Sequence, residues 1–469
     1  MSNNDNNKTK KELSATRGDV ARLATGNIGR LLWDYSVPAV VGIVVMSLYN
    51  VVDRIFIGQG VGPSAIAGLA ITFPVINVAT ALGVLIGAGA SARISIMLGA
   101  NDKDGAQRVL GTSLVLSILI GVTYLTLFAI YLDPLLRAFG ASDQTLPYAH
   151  SFISYLLPGL LLTNITYNFN NIMRSSGYPV KAMVTMFLGA GLNVILDPIF
   201  IFVFDWGIRG AAIATDISMA CTAVFVMAHF TSKKTELRFR KGIYGLSWRI
   251  IGAIVSIGAA PALVNLAGSA INVIVNLSLL NYGNDMAIAA TGIFTTYTSL
   301  LVMVVIGICQ GMQPIVGYNY GAGKHHRLFR AYGLATLWSS VIVTLGCLAG
   351  EFCPNIIARA FTTDQELIDI TARTFRNSLW AFWMVGFQIV STNFFQSIGK
   401  AFKSIILSLC RQVIFLIPLL WILPSRMGLH GVWNSFPVSD IMATVVTLIL
   451  IIAEYRYLRN HTSPQPAIQ

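Results

Sequence analysis

Asn193-Val194-Ile195-Leu196-Asp197-Pro198-Ile199-Phe200-Ile201-Phe202 closes an apolar run that begins after Lys181, and its reading decides what kind of chain this is. One amide and one carboxylate stand four residues apart among large apolar side chains, and on a helix positions i and i+4 share a face. An Asp at the centre of a membrane helix costs about 2.5–3.5 kcal/mol on insertion scales, so a chain that keeps one there has a use for it. Asp53 lies in a comparable apolar stretch and Asp216 follows soon after Asp197. These three acids are the first candidates for an ion or proton site.

The rest of the sequence supplies the membrane setting. Hydrophobic residues make up 55% and charged residues 11% of the 469, with a mean hydropathy of +0.68, whereas a soluble domain carries about 25% charged residues. An all-α integral membrane protein follows, and helices of about 20 to 25 residues joined by short polar loops allow roughly twelve spans. Breaking the chain at charged and Pro/Gly clusters centres them near residues 45, 80, 120, 160, 192, 220, 265, 300, 342, 387, 412 and 443. The polar start, Ser2 to Lys11, lacks the short apolar core and small-residue cleavage site of a signal peptide. Cys221, Cys309, Cys347, Cys353 and Cys410 form no C-x-x-C pair and are odd in number, so neither a disulfide framework nor a zinc site is expected.

Basic residues orient the spans. Arg54, Arg137, Arg209, Arg359, Arg373, Arg376 and Arg426 fall in one set of alternate loops, and Arg411 falls within a span. The remaining 24 of the 32 Lys and Arg lie in the N-terminal tail and the other loops. By the positive-inside rule both termini are expected in the cytoplasm, as an even number of spans requires. The net charge of +12 then reflects topology and contact with anionic lipid headgroups. Spread over many loops, it forms no single patch for nucleic acid.

The chain also resembles itself at an offset near 221 residues. Leu98-Gly99-Ala100-Asn101-Asp102 matches Tyr320-Gly321-Ala322-Gly323-Lys324, and Asp143-Gln144 matches Asp364-Gln365. Further on, Asn171 to Gly177 matches Asn393 to Gly399, and Gly207-Ile208-Arg209-Gly210 matches Gly428-Leu429-His430-Gly431. Six helices per repeat give both halves the same orientation, so two six-helix lobes related by a pseudo-twofold axis along the membrane normal are expected, with substrate near the midplane between them. The expected boundaries are a cytoplasmic tail 1–30, an N-lobe 31–230, a basic cytoplasmic linker 231–249, a C-lobe 250–457 and a C-terminal tail 458–469.

Helix rise sets depth. Asp197 lies 16 residues past Lys181, roughly 24 Å up the fifth span. Asn193 is one turn below it, Asp53 is at the outer end of the first span, and Thr215 and Asp216 are a few residues into the sixth, so all five share one level. Pro198 removes a backbone donor there and frees a carbonyl. Carboxylate, amide and hydroxyl oxygens suit a hard cation such as Na⁺. They suit a proton as well, because burial disfavours a charged carboxyl. The second half offers only amides, Asn265, Asn272, Asn276, Gln388 and Asn393, with Asp440 three positions off the equivalent of Asp216. Coupling is therefore expected in the first half alone. Gly83, Gly87 and Gly89 read as close-packing positions on the second span. No Walker motif is present, so ATP is not the expected energy source.

Tyr49 to Gly58, Arg174-Ser175-Ser176-Gly177, Asn193 to Phe202 and Gly207 to Thr215 resemble the multidrug and toxic compound extrusion (MATE) family, above all its DinF-like and MepA-like members. The resemblance covers nearly the whole chain. It implies two six-helix lobes in a V and an alternating-access cycle, exporting lipophilic, often cationic compounds against inward H⁺ or Na⁺. No cofactor is implied beyond that ion. A bacterial inner-membrane location, a monomer, and small-molecule drugs and lipids as partners follow in the same way. The coupling residues that it implies are Asp53, Asn193, Asp197 and Thr215, with Asp216 beside them. The acids that other branches carry on the seventh and tenth helices are absent here.

Two other classes fit these residues less well. A lipid-linked oligosaccharide flippase of related fold would line its cavity with basic side chains, and Arg411 alone is placed well inside a span. An intramembrane enzyme would need a nucleophile or metal constellation, yet the histidines stand at span ends and loops with no H-E-x-x-H pair. Tyr49, Phe73 and Tyr155 are aromatic candidates for the cargo wall that spacing leaves unplaced.

Overall fold

The computed structural model describes residues 20–233 and 235–460. Lys8, Lys10, Lys11 and Arg17 of the expected N-terminal tail, Lys234 of the linker and residues 461–469 lie outside them. Helices account for every regular element among the described residues.

Twelve spans follow in order. The first six are Ile28–Gly60, Pro63–Gly99, Lys103–Ala138, Leu146–Ser175, Pro179–Pro198 with a π-helical continuation Ile199–Val203, and Gly207–Thr231. The next three are Trp248–Tyr282, Asp285–Gly321 and His325–Phe352. The tenth is broken, Gln365–Ser378 and Val385–Ser397 with a 3-10 turn Phe382–Met384 between them. The eleventh runs Ala401–Leu409, π-helical Cys410–Phe415 and Leu416–Met427, and the twelfth is Leu429–Asn460. Ten of these are long and apolar enough to cross a membrane on length and composition alone. The fourth falls short because it turns polar amides inward, among them buried Asn164 and Asn168, and the tenth because its break leaves helices of only 14 and 13 residues. Short helices Val20–Thr25 and Pro354–Arg359 lie outside the twelve anticipated segments.

Local chemistry sets the span ends. Asn27, Asp102, Asn284 and Asp364 each accept a backbone N–H from the first turn that follows them, which satisfies donors the helix cannot. The matched loops also turn alike: Asn101 and Gly323 (φ 61° and 67°), Gly177 and Gly399 (94° and 76°), and Gly207 and Gly428 (54° and 57°) all adopt positive φ. Equal backbone turns at equivalent positions are the structural form of the repeat.

The repeats share a core at one end and part at the other. One apolar cluster draws on both, with Ile86 and Phe169 from the first repeat and Val305 and Phe394 from the second. It starts at the end where the chain enters and leaves the bundle, here called the basic end, and in the second repeat it continues outward to Cys347 and Phe375. Toward the opposite end each repeat keeps its own cluster, Ile57 to Ala212 in one and Ile271 to Trp433 in the other. The first span packs on the eighth and the second on the seventh and eighth. Gly87 brings the second span against Asn168 of the fourth, and Gly89 brings it against Ile254 of the seventh, as small-residue packing requires. Among the described residues, the outermost hydrogen bonds between repeats are Ser47 Oγ to Met303 Sδ, 3.0 Å, and Asn77 Nδ2 to Ser269 Oγ, 3.3 Å.

The helix Val20–Thr25 ties the two repeats at the basic end. Arg327 Nη2 donates to Gly26 O at 2.6 Å and Leu23 O at 3.3 Å, and Lys324 Nζ donates to Ala24 O at 3.1 Å. Asn319 Nδ2 adds a bond to Leu23 O. Hydrogen bonds from charged donors contribute about 1.5–3 kcal/mol each. Arg327→Ala should therefore loosen this helix, and hydrogen exchange at residues 22–28 should accelerate about tenfold or more; unchanged exchange would rule out the tie.

Candidate functional site

The fifth span departs from α-helical geometry just past Asp197. Pro198 cannot supply an N–H, the α-helix ends on it, and a π-helical turn follows. Such turns recur at functional sites because they reorient side chains within a continuous helix. Asp197 and Asn193 are fully buried, and Asp53 on the neighbouring first span is half-buried.

Asn193 Nδ2 donates to Thr215 Oγ1 across the fifth and sixth spans at 3.1 Å, and Thr215 Oγ1 donates back to Ala211 O at 3.0 Å. That pairing fixes which end of the amide points inward. Asn193 Oδ1 is left as an acceptor, together with Asp197 Oδ1 and Oδ2 and Asp53 Oδ1, and none of the four has a donor among the described residues. The Asp53 and Asp197 carboxyl groups lie within hydrogen-bonding reach of each other. Ionised carboxylates have no hydrogen to share, and unsatisfied buried acceptors are costly. A proton or a small cation between them supplies what the protein does not.

The five residues read at one depth thus fall into two places. Asp53, Asn193, Asp197 and Thr215 converge, whereas Asp216 turns to the fourth span and lies against Gly159, where a Cβ would sit 1.9 Å from its Oδ1. Arg54, next to Asp53 in the chain, forms no ion pair with it among the described residues; its guanidinium lies 6.0 Å over the Phe73 ring.

A chamber of about 390 Å³ lies between the repeats, and a second of about 260 Å³ adjoins it largely within the first repeat; the two share Tyr167, Asn171 and Gln310 in their walls. Tyr167 had no signal in the sequence beyond its helical spacing to Asn171 and Arg174, which places all three on one face. Tyr49, Phe73 and Tyr155 line neither chamber; Tyr155 sits under Arg209, 5.8 Å away. Arg174, counted among the loop charges in the sequence, is instead buried in the last turn of the fourth span, its Nη2 on Asn170 Oδ1 at 3.0 Å and its Nη1 on Asn171 Oδ1 at 3.3 Å.

The second repeat does carry a charged pair. Arg411, in the π-helical segment of the eleventh span, donates from Nε to Asp440 Oδ1 at 2.7 Å. Gln388 Nε2 donates to the Asp440 carbonyl, and Ser439 Oγ to the Arg411 carbonyl. Unlike the first-repeat acids, Asp440 arrives with its counter-ion. Removing one member of a buried pair strands the other. Asp440→Ala should lower stability by on the order of 3 kcal/mol, read as a fall in melting temperature that Asp440→Asn reduces; equal melting temperatures for all three proteins would contradict the pairing.

The MatE family model matches the chain twice, over residues 38–199 and 261–422, once in each repeat. Multidrug export protein MepA of Staphylococcus aureus (strain MSSA476) is 25% identical over 423 residues, covering 90% of this chain and 93% of that protein. A protein of Shewanella oneidensis named FAD transporter is 26% identical over 436 residues, 91% and 95% of the two chains. The outward-facing structure of a multidrug resistance MATE family transporter of the MOP superfamily superposes with a TM-score of 0.88 at 27% identity, covering 94% of this chain and 99% of that one. With the family model spanning most of both repeats, and the fold shared from end to end with a solved member, the chain belongs to the MatE family and is a transporter, not an enzyme.

Proposed function

We propose that this transporter is a secondary antiporter, in which inward movement of H⁺ or Na⁺ through Asp53, Asn193, Asp197 and Thr215 drives export of amphipathic small molecules by alternating access. The observation that carries this reading is the group of four buried acceptor oxygens with no donor among the described residues. An ion bound there favours one arrangement of the first repeat, cargo between the repeats favours another, and each shifts the equilibrium by its differential affinity. In the second repeat the polar pair is already satisfied by Arg411 and Asp440, which supports coupling through the first repeat alone.

In this reading the basic end faces the cytoplasm of a bacterium, the protein acts as a monomer in the inner membrane, and Lys and Arg meet anionic headgroups. The relatives differ in named cargo, one for multidrug export and one for FAD, so cargo chemistry must come from the cavity. Proteoliposomes carrying an imposed H⁺ gradient or, separately, a Na⁺ gradient test the coupling. Dye efflux driven by one of them and lost in Asp197→Asn is expected. Efflux indifferent to both gradients would overturn the reading.

A further inference from the structure

Recognition of an organic cation calls for carboxylates or an aromatic cage in the wall. Neither lines the larger chamber between the repeats or the smaller one that adjoins it. Their walls contain no Asp or Glu and one aromatic residue, Tyr167. The charged residues in those walls are Arg411 in the larger chamber and Arg174 in the smaller.

The acids within the bundle are held elsewhere. Asp53 and Asp197 face each other, Asp216 lies against Gly159, and Glu454 is enclosed by Lys400 at 2.6 Å and Lys403 at 2.7 Å. Asp440 is buried behind Arg411 and absent from the wall, so that ion pair presents its positive end to the cavity. Arg411 uses Nε for Asp440, and its two terminal nitrogens take no acceptor among the described residues. Arg174 is nine-tenths buried and its hydrogen-bond partners are amide oxygens, which leave its charge uncompensated. Around them Gln310, Gln313, Gln396 and Gln412 bring amide groups to the wall, which can donate to an oxyanion as well as accept.

We propose that the cavity selects organic anions, amphipathic molecules with a carboxylate or phosphate on an apolar body, and that the Arg411 guanidinium receives the anionic group while Asp440 holds it in place. A planar guanidinium with free terminal N–H groups matches the two oxygens of such a group. This assignment rests on the reading of the protein as an exporter with its cargo site between the repeats, and it sharpens the cargo class.

The test is binding to the purified full-length protein in detergent, without any ion gradient, of two dyes on one xanthene frame: fluorescein, an anion, and a rhodamine methyl ester, a cation. Fluorescein is expected to bind about tenfold more tightly or better. The neutral pair Arg411→Gln with Asp440→Asn should reduce that preference about tenfold, while Arg411→Lys keeps its direction. Monodisperse elution and melting temperature establish that each variant is folded. Rhodamine bound as tightly as fluorescein, or a preference unchanged in the neutral pair, would overturn the assignment. Fluorescein preference without gradient-driven efflux would sink the antiport reading and leave this one standing; gradient-driven rhodamine export without fluorescein binding would do the reverse.

Discussion

Asp197→Asn should abolish export in an efflux-deficient host while the protein reaches the membrane in its usual amount. The substitution keeps shape and removes only the charge. Its new amide can donate to Asp53 Oδ1, an oxygen that has no donor in the native arrangement, so the folded protein should be at least as stable as the parent. What is lost is the difference in ion affinity between the two ends of the cycle. Each 1.4 kcal/mol of that difference is worth tenfold, and a ligand that must invert a two-state population needs about 5.5 kcal/mol of it. A fall in transport of about a hundredfold or more is therefore expected, together with an unchanged or raised melting temperature. Asn193→Ala removes one oxygen and the bond to Thr215 but leaves both carboxylates, so its loss should be smaller, about tenfold. Full resistance conferred by Asp197→Asn would end the assignment of this site.

Gly258→Val should have a comparable effect on transport by a different route. A Cβ at Gly258 would lie 1.7 Å from the Leu85 carbonyl oxygen, at the contact between the seventh and second spans. That oxygen is backbone within a helix and cannot move alone, so the spans must separate. The neighbouring contact is built in the same way, with a Cβ at Gly89 falling 1.9 Å from Ile254 O. The basic end then cannot close, and the arrangement described here becomes inaccessible. A cysteine placed at Ser95, which is buried beside Gly317, should react with a maleimide about tenfold faster or more in the Gly258 variant. Gly268→Val supplies the control, because a Cβ at Gly268 meets nothing within 4 Å on the same span. Normal transport by Gly258→Val would show that the contact can open without consequence.

Much of this architecture is legible one residue at a time. Hydropathy, the alternation of Lys and Arg, and the matched Gly and Asn turns predict twelve helices in two like-oriented repeats, because burial in lipid and backbone turning act on each position through its own side chain. Depth along a helix is equally local, since every residue adds the same rise. Asp53, Asn193, Asp197 and Thr215 could therefore be assigned to one level before any contact was known, and they converge.

Rotation about the helix axis and the approach of one helix to another are different in kind. They depend on how whole surfaces interlock, so spacing alone could not separate Asp216 from its neighbours or send it to Gly159. Nor could it show that Arg174 points into the bundle, or that Arg411 and Asp440 form one ion pair with its positive end toward the cavity. The membrane helices, their orientation relative to one another and the common level of Asp53, Asn193, Asp197 and Thr215 follow from the order of residues, because solvation in lipid reads each side chain separately. Which oxygens are left without donors, and which charges face the cavity, were decided by packing between helices, because a partner is supplied or withheld only where two surfaces meet.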